Sequence, residues 1–189
     1  MRGKFIEGTG IVKIIAMIPA RLGSQRLKQK NLCEMDGVPL IQRVIQKCRM
    51  AGVFDEIWVN TEADELGRFA ELEGVGYHKR PAELANNQAT SEQFVYEFLQ
   101  KHDCDFVVQV HSIAPLLRVS DICGFVGKLH DGDADVLLSV VEEPLECLYK
   151  GAPVNFTFER KQNSQELTPV EQITWSITAW RRRVYMDAF

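Results

Sequence analysis

The sequence lacks a cysteine pair spaced C-x-x-C, an excess of positive charge and any long apolar run. Each absence narrows the field. The five cysteines, Cys33, Cys48, Cys104, Cys123 and Cys147, are odd in number and scattered, which argues against a disulfide framework or a zinc site and for reduced thiols in a cytoplasmic setting. The net charge is −4, so a bulk-basic nucleic-acid binder is not expected, and any anion must be caught by a local group of cations. No apolar stretch approaches the ~18 residues that span a bilayer, so no membrane partner is expected. Glu7 and Lys13 interrupt the start of the chain, which reads as an N-terminal extension over 1–12 running into a buried strand. Nucleotide fingerprints are missing too. No Gly-Lys-Ser/Thr occurs, and Gly8-Thr9-Gly10 precedes the first strand without the third glycine of a dinucleotide loop.

What is present is an ordinary globular composition, 46% hydrophobic and 25% charged over 189 residues, enough for one domain with a full core. Lys13 to Pro19 is a continuous apolar run, as in a strand covered on both faces. Pro39 to Gly52 places Leu40, Ile41, Val44, Ile45 and Cys48 at helical spacing, with Pro at the start and Gly at the end. Strands follow at 56–61, 76–79, 105–110 and 134–141. Helices follow at about 64–74, opened by Thr61-x-x-Asp64, after Thr90-x-x-Gln93, and from Ser120 to about His130. This alternation predicts a three-layer α/β/α domain with a mostly parallel, Rossmann-like sheet. Ligands of such sheets lie at the carboxyl ends of the strands, so the loops after Pro19, Thr61 and Val110 are the candidates. The alternation stops after Glu143. Residues 142–173 read as a protruding arm or hairpin, with in–out alternation over Val154 to Phe158, before a last strand at 174–180. One domain over 1–189 is the expectation.

The sharpest feature is the loop Pro19 to Asn31. Arg21, Arg26, Lys28 and Lys30 fall within ten residues without an acid, in a net acidic chain. Gly23 and Ser24 permit a tight turn with exposed amides. Fixed cations beside backbone N–H donors suit a polyphosphate; the plain alternative is a solvated basic turn. No Ser-His-Asp or Cys-His set argues for a covalent intermediate.

The stretch IPARLGSQRLKQKNL followed by DGVPLIQRVI resembles the N-terminal signature of the sugar-acid cytidylyltransferases, the acylneuraminate group and its 3-deoxy-octulosonate relatives. Arg80-Pro81-Ala82-Glu83-Leu84-Ala85 with Thr90-Ser91 is similar to the acylneuraminate branch. The resemblance implies transfer of CMP from CTP to a 2-keto sugar acid with release of pyrophosphate, with Mg2+ as cofactor and a homodimer formed through the arm. By position it makes Arg21 and Lys30 the triphosphate-binding and catalytic cations. Ala20, Gly23, Ser24 and Gln25 would line the loop, and Asn31 would lie near the ribose or α-phosphate. Arg80 and Ser91 would read the cytosine edge; their plain alternatives are a surface salt bridge with Glu83 and helix capping beside Thr90. Gln109, His111 and Ser112 are candidate sugar contacts.

Two departures qualify the match. Ile113 stands where the octulosonate branch has a metal-binding Asp, and after 174–180 the sequence offers Asp187 and no Asp-x-Asp. No residue is therefore assigned as a metal ligand, and the expectation is a chain that binds CTP and forms CMP-sugar slowly or not at all. The rivals are a non-catalytic nucleotide- or sugar-nucleotide-binding relative and an enzyme that uses UTP or GTP with a sugar phosphate.

Overall fold

The computed structural model describes residues 12–23, 27–159, 163 and 165–189. The N-terminal extension, apart from Val12, and the Gly8-Thr9-Gly10 stretch lie outside them. The elements run β1 (Ile14–Pro19), β2 (Glu34–Met35), β3 (Val38–Pro39), α1 (Leu40–Ala51), β4 (Glu56–Thr61), α2 (Asp64–Glu73), β5 (Gly76–Lys79), α3 (Ser91–Lys101), β6 (Phe106–Val110), α4 (Val119–Asp131), β7 (Val136–Glu143), β8 (Leu148–Tyr149), β9 (Ala152–Pro153), β10 (Val170–Arg181) and α5 (Arg182–Ala188). The six-stranded sheet has the order β5-β4-β1-β6-β10-β7. β1 lies between β4 and β6 and is parallel to both, which is why its run of Ile and Met is buried on both faces. β4 and β5 are also parallel, whereas β10 runs antiparallel to β6.

Two cores flank the sheet and make the three layers. On one face Ile41, Val44, Ile45 and Cys48 of α1, Leu66 and Ala70 of α2, and Ile122, Phe125, Val126 and Leu129 of α4 pack against Ile14, Ile18, Val59, Val108 and Val110. On the other, Val95, Phe98 and Leu99 of α3 cover Ile15, Met17 and Val107, with Tyr185 and Met186 of α5 against them. The expected α/β class, with its mostly parallel sheet, is the fold observed.

Local chemistry explains several helix ends. Gly52 and Gly74 close α1 and α2 in the left-handed conformation, with φ of 62° and 65°. Thr90 and Gln93 form a reciprocal capping box on α3. Two expected caps differ. α2 begins at Asp64 with Ala63 as its cap, and the Thr61 hydroxyl accepts from the Ala63 amide at 3.2 Å instead. α4 begins at Val119, and the Asp121 carboxylate, not Ser120, accepts the Arg118 amide at 2.9 Å.

Two compact units divide the chain, 1–137 with 176–189, and 138–175. Within the second, Ser139 and Thr174 share a hydroxyl hydrogen bond of 2.7 Å. The Asn155 side chain accepts from the Cys147 amide and donates to Leu145 and Thr168 carbonyls. The expected hairpin is β8–β9, which the Val154 amide extends by donating to the Cys147 carbonyl at 2.9 Å; the rest of the alternating stretch to Phe158 is not assigned as strand.

Candidate nucleotide site

The carboxyl ends of β1, β4 and β6 form one edge of the first unit, and the basic loop leaves from the middle of it. The loop is tied to its neighbours. The Ala20 amide donates to the Asn60 carbonyl at 3.0 Å, and the Leu22 amide donates to Glu62 Oε1 at 3.0 Å. Asn31 Nδ2 donates to the Arg21 carbonyl at 2.9 Å, and the Ser112 hydroxyl donates to Asn31 Oδ1. Asn31 and Ser112 are both buried, so the start of the loop, its end and the loop after β6 are held as one assembly. Gly23 is exposed, and a Cβ there would meet nothing within 4 Å. Ser24 and Gln25 lie outside the described residues.

Arg21 reaches across 64 residues of sequence. Its Nη1 donates to the Asn86 carbonyl at 2.7 Å and to the Ala85 carbonyl at 3.2 Å. The cation thereby bridges the basic loop and the segment after β5, the two places that the sequence singled out. Lys30 sits in a single 3-10 turn, Lys30–Leu32, and its charge is felt by His111.

Arg80 differs from its plain alternative. It makes no surface pair with Glu83 but is 3% exposed. Its Nε donates to Asn60 Oδ1 and its Nη2 to the Asn60 carbonyl, each at 2.6 Å, and its guanidinium carbon lies 4.3 Å from the centre of the Phe94 ring. Burial, opposed by the Glu62 charge, draws its pKa down to about 10, which leaves it cationic at neutral pH. Ser91 is the exposed first residue of α3, next to the capping Thr90.

On the same edge His111 Nε2 and Gln109 Oε1 lie 3.2 Å apart. An amide oxygen only accepts, so the imidazole proton sits on Nε2. Burial, with Lys30 nearby, lowers the His111 pKa to about 4, so the ring is neutral at pH 7. Gln109 is 2% exposed, and its Nε2 has no hydrogen-bond partner. A buried donor without an acceptor is costly, and such groups gather at functional sites.

Among the described residues, no three His, Cys, Asp or Glu side chains come together in a way that could hold a metal ion. Two Asp-x-Asp stretches do occur, at 103–105 and 131–135, but at the other edge of the sheet. Asp105 caps the amino end there, accepting the Lys13 amide at 2.7 Å, and Asp135 pairs with Arg181 at 2.8 Å. Asp187 is exposed on α5. These residues do not fit Mg2+ bound at the basic loop. A surface cavity of about 430 Å3, lined by Arg49, Phe54, Trp58 and Gly76, likewise opens at the amino ends of β4 and β5 and brings no group of cations together.

Sequence reasoning missed Asn60, Glu62 and Phe94. Asn60 could have been found, because a carboxamide near the end of the strand Glu56–Thr61 breaks an otherwise β-favouring run. Glu62 and Phe94 carry no local signal, since their roles depend on contacts made across the fold.

The sequence profile of the cytidylyltransferase family matches residues 15–176. An N-acylneuraminate cytidylyltransferase of Danio rerio is 31% identical over 129 residues, 68% of this chain and 30% of that protein. A 3-deoxy-manno-octulosonate cytidylyltransferase of Myxococcus xanthus is 31% identical over 142 residues, 75% of this chain and 55% of that protein. The chain thus spans about a third to a half of the length of these relatives. Among solved structures, a CMP:2-keto-3-deoxy-manno-octonic acid synthetase complexed with CTP superposes with a TM-score of 0.73 at 21% identity, over 93% of this chain and 77% of that one, a likeness of fold. With the family profile matched across most of its length, and with a parallel sheet that brings the basic loop to the edge where such folds bind ligands, the chain belongs to the cytidylyltransferase family.

Proposed function

We propose that this chain binds CTP at the carboxyl edge of its sheet and transfers CMP to a 2-keto sugar acid, releasing pyrophosphate. The observation that carries the reading is the bridge made by Arg21 between the basic loop and the segment that follows Arg80. A triphosphate oxygen carries more charge than the carbonyls of Ala85 and Asn86, so exchanging them for phosphate is favourable for the guanidinium. In this reading Arg21 and Lys30 hold the triphosphate and neutralise the charge that develops on pyrophosphate. In the same reading Ala20, Gly23, Ser24 and Gln25 contact the nucleotide, and Asn31 braces the loop beneath the α-phosphate. Arg80 and Ser91 read cytosine, whose O2 and N3 are acceptors. A sugar hydroxyl oxygen bonds to the α-phosphorus as the bond from it to the α,β-bridging oxygen breaks; pyrophosphate leaves with that electron pair, the hydroxyl proton passes to solvent, and Gln109, His111 and Ser112 orient the sugar. The partner is an acidic sugar, of the acylneuraminate or the octulosonate class. The five free thiols accord with a reducing cytoplasm.

A second reading, a nucleotide-binding relative without turnover, is favoured by Ile113. This side chain is 48% exposed in the loop after β6, where the resemblance puts a metal-binding Asp. Pyrophosphate release with CTP and a panel of acylneuraminic and 3-deoxy-octulosonic acids tests the transferase reading. Release that requires both CTP and one of the acids is expected; CTP binding without release under any metal ion would leave the second reading standing.

A further inference from the structure

Asn60 stands one residue from the end of β4, in register with Pro19 of β1 on one side and His78 of β5 on the other. It has no solvent exposure. A buried carboxamide is costly unless its groups are bonded, and Asn is disfavoured in strands, so its place in the strand calls for a cause. Its bonds supply one. The Asn60 carbonyl accepts from the Ala20 amide at 3.0 Å and from Arg80 Nη2 at 2.6 Å. Its side-chain oxygen accepts from Arg80 Nε at 2.6 Å, and its Nδ2 lies 3.3 Å from the Met17 sulfur. Two parallel bonds on the Nε–Nη2 edge, with the Phe94 ring at 4.3 Å, fix the plane of the guanidinium. The same residue therefore holds the root of the basic loop and the buried arginine at fixed positions relative to each other.

We infer that Asn60 is a positioning residue for pyrimidine selection, which sets the Arg80 guanidinium and locks it in register with the Ala20 amide. This rests on the reading of Arg80 as the group that recognises cytosine. Binding of CTP and UTP to the intact chain, with a melting curve for each variant, tests it. The parent prefers CTP. Arg80→Ala and Asn60→Leu are each expected to lower the CTP/UTP preference about tenfold, the scale of one charge-assisted hydrogen bond, and the double variant no further than either single one. Asn60→Asp keeps the acceptor for Nε and is expected to retain most of the preference even where its melting temperature falls. If Asn60→Leu does not fold, Asn60→Ala carries the same expectation. A bracing role alone would lower the melting temperature and weaken both nucleotides equally, and that result overturns the inference. So does a parental ratio in Asn60→Leu beside a lost ratio in Arg80→Ala, an outcome that leaves base reading by Arg80 intact. A parental ratio in Arg80→Ala, or a parent without preference, removes base reading by Arg80 and the positioning role together.

Discussion

The side chains that matter most here are polar groups made to do without water. Arg80, Asn60, Gln109 and Ser112 are each at most 3% exposed, and Arg80, Asn60 and Ser112 are held by partners far away in sequence. Their residue types were visible in the sequence, as were the cations of the loop. Their partners were not, because a guanidinium bonded to an Asn 20 residues earlier leaves no periodic trace. A second buried polar group lies beside them. His78 Nε2 is 2.7 Å from Glu97 and its Nδ1 is 3.0 Å from His102 Nε2. The carboxylate only accepts, so His78 carries its proton on Nε2 and receives the bond from His102, and both rings are neutral. Glu97 is also paired with Lys101, Trp58 lies tilted against His102 with ring centres 4.2 Å apart, Phe98 stacks on His102 at 4.1 Å, and Glu56 and Arg80 add their charges. Burial lowers the pKa of His78, and with the His78 neighbour it brings His102 to about 4 from the ordinary 6.5. Below pH 6.5 the unfolded chain takes up protons that these rings refuse, so stability is full above that pH and falls progressively toward pH 4. Thermal melts across this window are expected to show the fall, and His102→Asn is expected to flatten it. An equal slope in the variant would place the acid sensitivity elsewhere.

At the level of elements, the legible parts were those governed by local rules. β4 and β5 fall at the expected residues, and α1 lies between its Pro and Gly as read, because continuous apolar runs and helical spacing are strong signals. The hairpin β2–β3 carried its own signal, Asp36-Gly37, with φ of 54° and 72° as a primed turn requires, yet its strands of two residues have no periodicity to draw attention. α5 follows β10 without a break and shows no cap in sequence. Packing sets one further demand at this scale. Gly76 is in register with Trp58 on β4, and a Cβ at Gly76 would lie 2.3 Å from the indole ring. The ring is not free to move, since Trp58 Nε1 donates to Glu56 at 2.7 Å and the indole is wedged at a tilt against His102, ring centres 4.2 Å apart. Gly76→Ala is therefore expected to destabilise the chain by about 1–3 kcal/mol through overpacking. Chemical denaturation that finds less than ~0.5 kcal/mol would mean that the Trp58 network yields freely.

For the whole molecule, the two units present different surfaces. The first buries its cores on both faces of a sheet. The second, residues 138–175, exposes Leu145, Leu148, Tyr149, Val154 and Phe158, each at least 45% accessible. Apolar side chains exposed in such number in a segment of this length mark an interaction surface, and we propose a homodimer formed through it. Light scattering at tens of micromolar is expected to give twice the mass of the chain, and a double charge substitution, Leu148→Glu with Phe158→Glu, to return it to the monomer. A parent that scatters as a monomer would remove the arm as a dimer contact. In the first unit a mostly parallel sheet brings a basic loop and a buried arginine to one edge, which we propose is a single nucleotide site. Calorimetric titration of CTP into the parent, Arg21→Ala and Lys30→Ala tests it most directly. Each cation is assigned a charge-assisted bond to phosphate of about 1.5–3 kcal/mol, so each variant is expected to bind CTP about tenfold more weakly or worse. Parental affinity in both variants would show that the loop is a solvated basic turn and contradict the account.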